Sequence, residues 1–122
     1  VAVYRLSATA ETDIIQLLAY THERFGEVAR QRYEALLVVT LRDIAADPGR
    51  QGSVARPEFG ANVRSYHLRN SRKQARTPFG VVPQPRHLLL YRFQQPDLVG
   101  IGRVLQDTME IERHLPDRYG DE

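Results

Sequence analysis

Two long amphipathic stretches with almost nothing between them constrain this chain more than any other feature. From Ala8 to about Phe25 the positions Ala10, Ile14, Leu17, Leu18, Thr21 and Phe25 recur at intervals of three and four, which marks one face of a helix. From Glu27 to about Ala46 the same spacing returns in Val28, Ala29, Tyr33, Leu36, Leu37, Thr40, Leu41 and Ile44. Only Gly26 separates the two, so the helices must fold back as an antiparallel hairpin. Ser7 is placed to cap the first helix, with Glu11 and Asp13 near the positive end of its dipole. Asp47–Pro48–Gly49 stops the second, because proline cannot continue the hydrogen-bond ladder. Each helix presents a single apolar stripe, and two stripes need a third surface to cover them.

Strand-like segments supply that surface. "VAVYRLS" (1–7) precedes the hairpin, and "VRSYHLR" (63–69), "RHLLLYRF" (86–93) and "LVGIGRVL" (98–105) follow it. "QQPD" (94–97) reads as a tight hairpin turn between the last two. In the final strand, simple alternation puts Val99, Ile101, Arg103 and Leu105 on one face and Gly100, Gly102 and Val104 on the other, with Arg103 reaching the sheet rim to pair with a carboxylate or a helix C-terminus, or, second, to contact a partner. The glycines leave their face bare enough for another backbone to approach. Met109, Ile111 or Glu112, and Leu115 then suggest a short C-terminal helix sealing the core edge, followed by a flexible tail over 116–122. The expected fold class is α+β: one domain over 1–122, in the order β-α-α-β-β-β, with the helix hairpin packed on a small, mainly antiparallel sheet.

Composition removes several chemistries. The chain of 122 residues has no cysteine, which excludes disulfides and thiol nucleophiles and suits a reducing compartment. Its longest apolar run, "ALLVV" (35–39), is far short of a membrane span, and the N-terminal residues lack a signal pattern, so a cytoplasmic location is expected. His22, His67, His87 and His114 have no paired ligand spacing, so no metal or cofactor is expected, although His67 and His87 could neighbour each other across strands. The net charge of +2 conceals a segregation: Phe59 to Pro96 contains no acidic residue and seven cations, leaving ten cations against fifteen carboxylates elsewhere. Those seven, Arg64, Arg69, Arg72, Lys73, Arg76, Arg86 and Arg92, point to a polyanionic partner, either nucleic acid or an acidic protein segment. Five of them lie in or directly beside the long connection "NSRKQARTPFGVVPQP" (70–85), a length more often functional or disordered than regular.

The segments "YRLSATAETDI", "YTHERFG", "RYEALLVVTLRDIAADPGRQG", "VRSYHL", "RHLLLYR" and "IGRVLQDTMEIERHL" together resemble, in order and spacing, the ParE branch of the RelE/ParE superfamily of toxins from type II toxin-antitoxin systems. The resemblance runs from Tyr4 to Leu115. It implies a toxin neutralised by a ParD-like antitoxin with an acidic tail, in a hetero-oligomeric complex that co-represses its operon and reaches DNA mainly through the antitoxin. It also implies inhibition of DNA gyrase by binding, whereas the RelE branch cuts messenger RNA on the ribosome. Fold alone does not choose between the two.

A nuclease would need a base, an acid and cations around one phosphate. Arg64, Arg86, Arg92, Arg103, Tyr66 and Tyr91 could converge for that purpose, but arginine is no general base at neutral pH, and no motif singles out a histidine or tyrosine for the role. Relatives often read "RVLH" where this chain reads "RVLQ", so Gln106 replaces a titratable group with an amide. No catalytic residue is therefore assigned. Tyr33, Leu37, Leu41 and Ile44 are expected in the core, while Tyr20 and Phe25 at the outer hairpin could help form a groove for a partner's amphipathic helix, and an exposed sheet edge could equally take an added strand. The expected contact residues are Tyr20, Phe25, Tyr66, Tyr91, Arg103 and the seven central cations.

Overall fold

The computed structural model describes residues 3–94 and 97–120. The order is β1 (Val3–Leu6), α1 (Ala8–Phe25), α2 (Glu27–Ala46), β2 (Ser53–Ala55), β3 (Val63–His67), β4 (His87–Gln94) and β5 (Leu98–Gln106). Short 3-10 turns lie at Pro57–Phe59, Leu68–Gln74 and Ile111–Arg113. The five strands form one sheet in the order β1-β5-β4-β3-β2, antiparallel throughout except for the parallel pair of β1 with β5. The expected α+β fold is therefore present, with β2 added: three residues are too few to show an alternation in the sequence. Of the hairpin turn read over 94–97, Gln95 and Pro96 lie outside the described residues.

Both helices begin and end where their chemistry dictates. The Ser7 Oγ accepts from the Ala10 N–H (2.9 Å) and donates to the Gly102 carbonyl (2.8 Å), so one hydroxyl caps α1 and ties it to β5. Gly26, at φ +92°, closes α1 and opens α2, a conformation that favours glycine. The hairpin packs on one sheet face. Ala10 and Leu17 of α1, and Leu36 and Ile44 of α2, meet Tyr66, Leu89, Tyr91, Val99, Ile101 and Val104. Phe25, expected on the inward face, is instead 67% exposed, because α1 outruns the sheet it packs on.

A bulge at the centre of β5 overturns the simple alternation. Leu90 of β4 pairs with Arg103 and Tyr91 with Ile101, so Gly102 is the extra residue. Beyond it the strand changes phase: Val104 joins Val99 and Ile101 under the helices, and Arg103 falls on the far face with Leu90. Arg103 does reach the rim. Its Nε and Nη2 bond Asp13 of α1 at 2.8 and 3.0 Å, and its Nη1 donates to the His114 carbonyl at 3.1 Å.

The far face is covered by a smaller cluster of Val63, Leu90 and Tyr119, with Phe59 and Ile111 against it. In place of the expected C-terminal helix there is a single 3-10 turn, and Met109 and Leu115 are exposed rather than sealing the core. Sealing falls instead to Tyr119, which lies within the segment read as a flexible tail and is 6% exposed. The bare face of Gly100 and Gly102 is what admits it. A Cβ on Gly100 would overlap the Tyr119 carbonyl oxygen, and one on Gly102 would come within 2.7 Å of the Tyr119 ring.

Candidate protein-interaction site

Where α1 and α2 extend past the sheet, they leave a groove of about 650 Å³ against the 82–87 segment and the end of β5. Its apolar side is built by Leu17, Tyr20, Phe25, Ala29, Val82 and Pro83. Its polar side carries Arg32, Tyr33, Gln84, Arg86, His87 and Gln106. Leu17 and Val82 are buried, whereas the Tyr20 and Phe25 rings stand 55% and 67% exposed on the rim. Exposed aromatic rings beside a ready concavity are the usual anchors of a protein partner.

The polar wall is fixed by one tyrosine. Tyr33 belongs to the core, as its helical spacing predicts, but its hydroxyl reaches the groove. The hydroxyl accepts from the Arg86 N–H (3.1 Å) and lies 2.7 Å from the His87 Nδ1. With one lone pair taken by the Arg86 N–H, the hydroxyl can donate to Nδ1, the arrangement in which the imidazole proton sits on Nε2. Burial drives the His87 pKa down to about 4 and lifts that of Tyr33 to about 12, so near neutral pH both groups are uncharged. Their rings meet edge-on at 5.5 Å.

His67 lies nearby on the opposite sheet face. Its Nε2 donates to Asp107 (3.0 Å), whose other oxygen takes Arg86 (3.3 Å). Burial pushes the Asp107 carboxyl up, but the His67 hydrogen bond and the Arg86 charge outweigh it and hold the carboxyl below its usual range. The two histidines are thus neighbours with separate partners. Among the described residues, no group of three or more histidine or carboxylate side chains could hold a metal ion.

The twelve expected contact residues divide clearly. Tyr20, Phe25 and Arg86 meet in the groove. Arg69, Lys73 and Arg76 are exposed on and after the Leu68–Gln74 turn, while Arg72 of the same turn donates to the Val82 carbonyl. Of the other five, only Arg64 and Tyr91 meet, on the Ser53 hydroxyl, and the rest lie apart. Tyr91 is fully buried with its hydroxyl between Ser53 and the Pro48 carbonyl, and Tyr66 is buried against Ser71. Burial raises the pKa of both. Arg64 donates to Ser53 at 2.7 Å beside a smaller pocket near Pro48 and Phe93. Arg92 lies 4.7 Å over the Tyr119 ring on the far face, and Arg103 is held by Asp13. A nuclease using Tyr66 or Tyr91 would have to pull it out of the core.

Most of the groove's lining escaped sequence reasoning, Arg32, Val82 and the Tyr33 hydroxyl above all. Arg32, whose Nε donates to the Phe79 carbonyl (2.7 Å), reads as a solvated helix position. Val82 is masked by the irregular connection around it. The Tyr33 hydroxyl left one signal: a tyrosine in an aliphatic stripe must find a partner for its O–H.

The fold is a small α+β domain with an open groove between its helix hairpin and the end of its sheet. The family model for the ParE toxin of the type II toxin-antitoxin system parDE matches residues 4–111, and the chain belongs to that family. It is a toxin of the type II class, and its partner is an antitoxin. No curated protein matches the chain. No helix among the described residues is long and apolar enough to cross a membrane.

Proposed function

We propose that this toxin acts by binding DNA gyrase, stabilising its cleaved-DNA state and so blocking replication, and that a ParD-like antitoxin with an acidic tail neutralises it in the cytoplasm. In the bound state the pair also represses its own operon, with the antitoxin supplying most of the DNA contact. The observation that carries a binding rather than a catalytic mode is the fate of the candidate nuclease groups. Tyr66, Tyr91, Arg64 and Arg103 are held by bonds inside the fold and divided between two sheet faces, while the exposed aromatic rings gather at the groove. The antitoxin is assigned to this groove: an amphipathic helix would lay its apolar face on Tyr20, Phe25 and Val82 and its carboxylates toward Arg32 and Arg86.

Purified toxin incubated with gyrase, ATP and relaxed plasmid is expected to inhibit supercoiling and to leave linear DNA after detergent treatment. Antitoxin added in equal amount should restore activity. Full supercoiling at micromolar toxin, together with truncated messenger RNA in a translating extract, would replace this reading with ribosome-dependent cleavage.

A further inference from the structure

We propose that the Leu68–Gln74 turn and the residues after it form a contact surface for the phosphate backbone of duplex DNA, with Arg69, Lys73 and Arg76 as the phosphate ligands. The turn is pinned from beneath. Leu68, Ser71 and Ala75 are buried, and the Ser71 hydroxyl is bonded to both Asp43 and Tyr66. Anchoring at 68, 71 and 75 turns 69, 70, 73, 74 and 76 outward, and Arg69, Asn70, Lys73 and Gln74 stand exposed on it. Among the described residues, none of the three cations has a carboxylate partner. The acidic group bonded to this element, Asp43, is already neutralised by Arg50 at 2.9 Å. The surface therefore presents uncompensated positive charge on a preorganised backbone.

Its chemistry separates DNA from an acidic protein as the occupant. As far as Arg76 the outward residues are Arg69, Asn70, Lys73, Gln74 and Arg76, cations interleaved with amides and without an apolar side chain; the exposed Phe79 lies beyond them, its carbonyl bonded to Arg32 of the groove. Protein interfaces need a buried apolar or aromatic centre, which here belongs to the groove, whereas phosphate backbones are held by cations and amide donors. The DNA contact stands on this geometry alone, and only its biological place, on the DNA that gyrase holds, rests on the function proposed above.

Full-length toxin titrated into a fluorescein-labelled duplex, without gyrase or antitoxin, should bind at low salt. With three phosphate contacts the logarithm of the binding constant is expected to fall against that of salt with a slope of about −2.7, so that a fourfold rise in salt weakens binding roughly forty-fold. Each of Arg69→Ala, Lys73→Ala and Arg76→Ala should flatten the slope by about 0.9, and the triple variant should lose binding while melting at the wild-type temperature. Arg24→Ala, an exposed change on α1, should leave the slope unchanged. Failure of the wild type to bind at low salt, or an unaltered slope in the triple variant, overturns the proposal. Loss of poly-glutamate binding with DNA binding intact would overturn it in favour of an acidic protein partner. A toxin that binds duplex but leaves gyrase active refutes the gyrase reading alone, and one that traps gyrase without binding duplex refutes this surface alone.

Discussion

The neutral His87 makes a quantitative prediction about stability and pH. Its pKa is about 4 in the fold against 6.5 for an unburied histidine, because burial beside Tyr33 disfavours the imidazolium. Below about pH 6.5 the unfolded chain therefore binds a proton that the folded chain refuses. The stability that His87 contributes is fully present above 6.5, is lost as pH falls, and stops changing near 4, where the fold protonates too. The whole gap is about 3 kcal/mol, and the part lost between about pH 7.5 and about pH 5 is about 2 kcal/mol. For a chain of this size that lowers the melting temperature by about 8 °C. The carboxyls held low by their neighbours, Glu27 by Arg30 and Asp107 by His67 and Arg86, lose their contribution only at more acid pH. His67 contacts the same cluster, so the comparison is made against His87→Asn, whose amide oxygen can accept the Tyr33 proton in place of Nδ1. Thermal melts of both proteins at the two pH values should show the loss in the wild type and most of it gone in the variant. An equal pH dependence in the two would refute the assignment of a buried, neutral His87.

Other substitutions probe the remaining parts of the fold and site. Asp13→Ala breaks a largely buried ion pair with Arg103 and also leaves the Val104 N–H without its acceptor; chemical denaturation should show a loss of about 3 kcal/mol, larger than that of Arg103→Leu. Gly100→Ala forces its Cβ into the Tyr119 carbonyl, so trypsin should cleave after the exposed Arg118 at least roughly ten times faster, the scale of about 1.4 kcal/mol of lost docking, while the helix hairpin stays protected. The double change Tyr20→Ala and Phe25→Ala removes exposed rings and should leave stability within about 0.5 kcal/mol, yet calorimetry should show antitoxin affinity reduced by roughly thirty-fold or more, as befits anchors worth about 2 kcal/mol. Gln106→His returns an imidazole to the polar wall without supplying a base aligned on any substrate, and transcripts in a translating extract should stay intact.

How far the sequence could be read followed the range of the forces involved. Both helices run over the residues that their periodicity marks, because the Ser7 cap, the lone Gly26 and the Asp47–Pro48 stop are local chemistry. The groove's apolar rim was legible as Tyr20 and Phe25, since rings beyond the end of a buried stripe stand out. Its polar wall was not, because the Tyr33 hydroxyl meets Arg86 and His87 only through a contact more than fifty residues away. The long connection 70–85 looked irregular because its anchors, Leu68, Ser71 and Ala75, are only three positions in and around one short turn, too few to register as a pattern.

Gly102 shows why a correct strand assignment can still mislead about faces. Unbroken alternation would carry Arg103 along the row of Val99 and Ile101 and bury its guanidinium under α1, at a cost of several kcal/mol for an unpaired charge. The bulge removes that conflict by shifting the phase by one residue. It sits where β1 gives out: Leu6 pairs with Ile101, Ser7 takes the Ile101 and Gly102 carbonyls of β5 through its N–H and hydroxyl, and beyond them β5, still paired with β4 on its other side, has no strand on the β1 side among the described residues. Asp13 fills that role. One of its oxygens accepts both the Val104 N–H and the Arg103 Nε, so a helix side chain completes the sheet edge that a fifth residue of β1 would otherwise pair. A pair serving only the ion bond would tolerate exchange of its two residues. Here the exchange Asp13→Arg with Arg103→Asp would put at the helix position a guanidinium, which has no acceptor to offer the Val104 N–H, and denaturation of that double variant is expected to show it still destabilised.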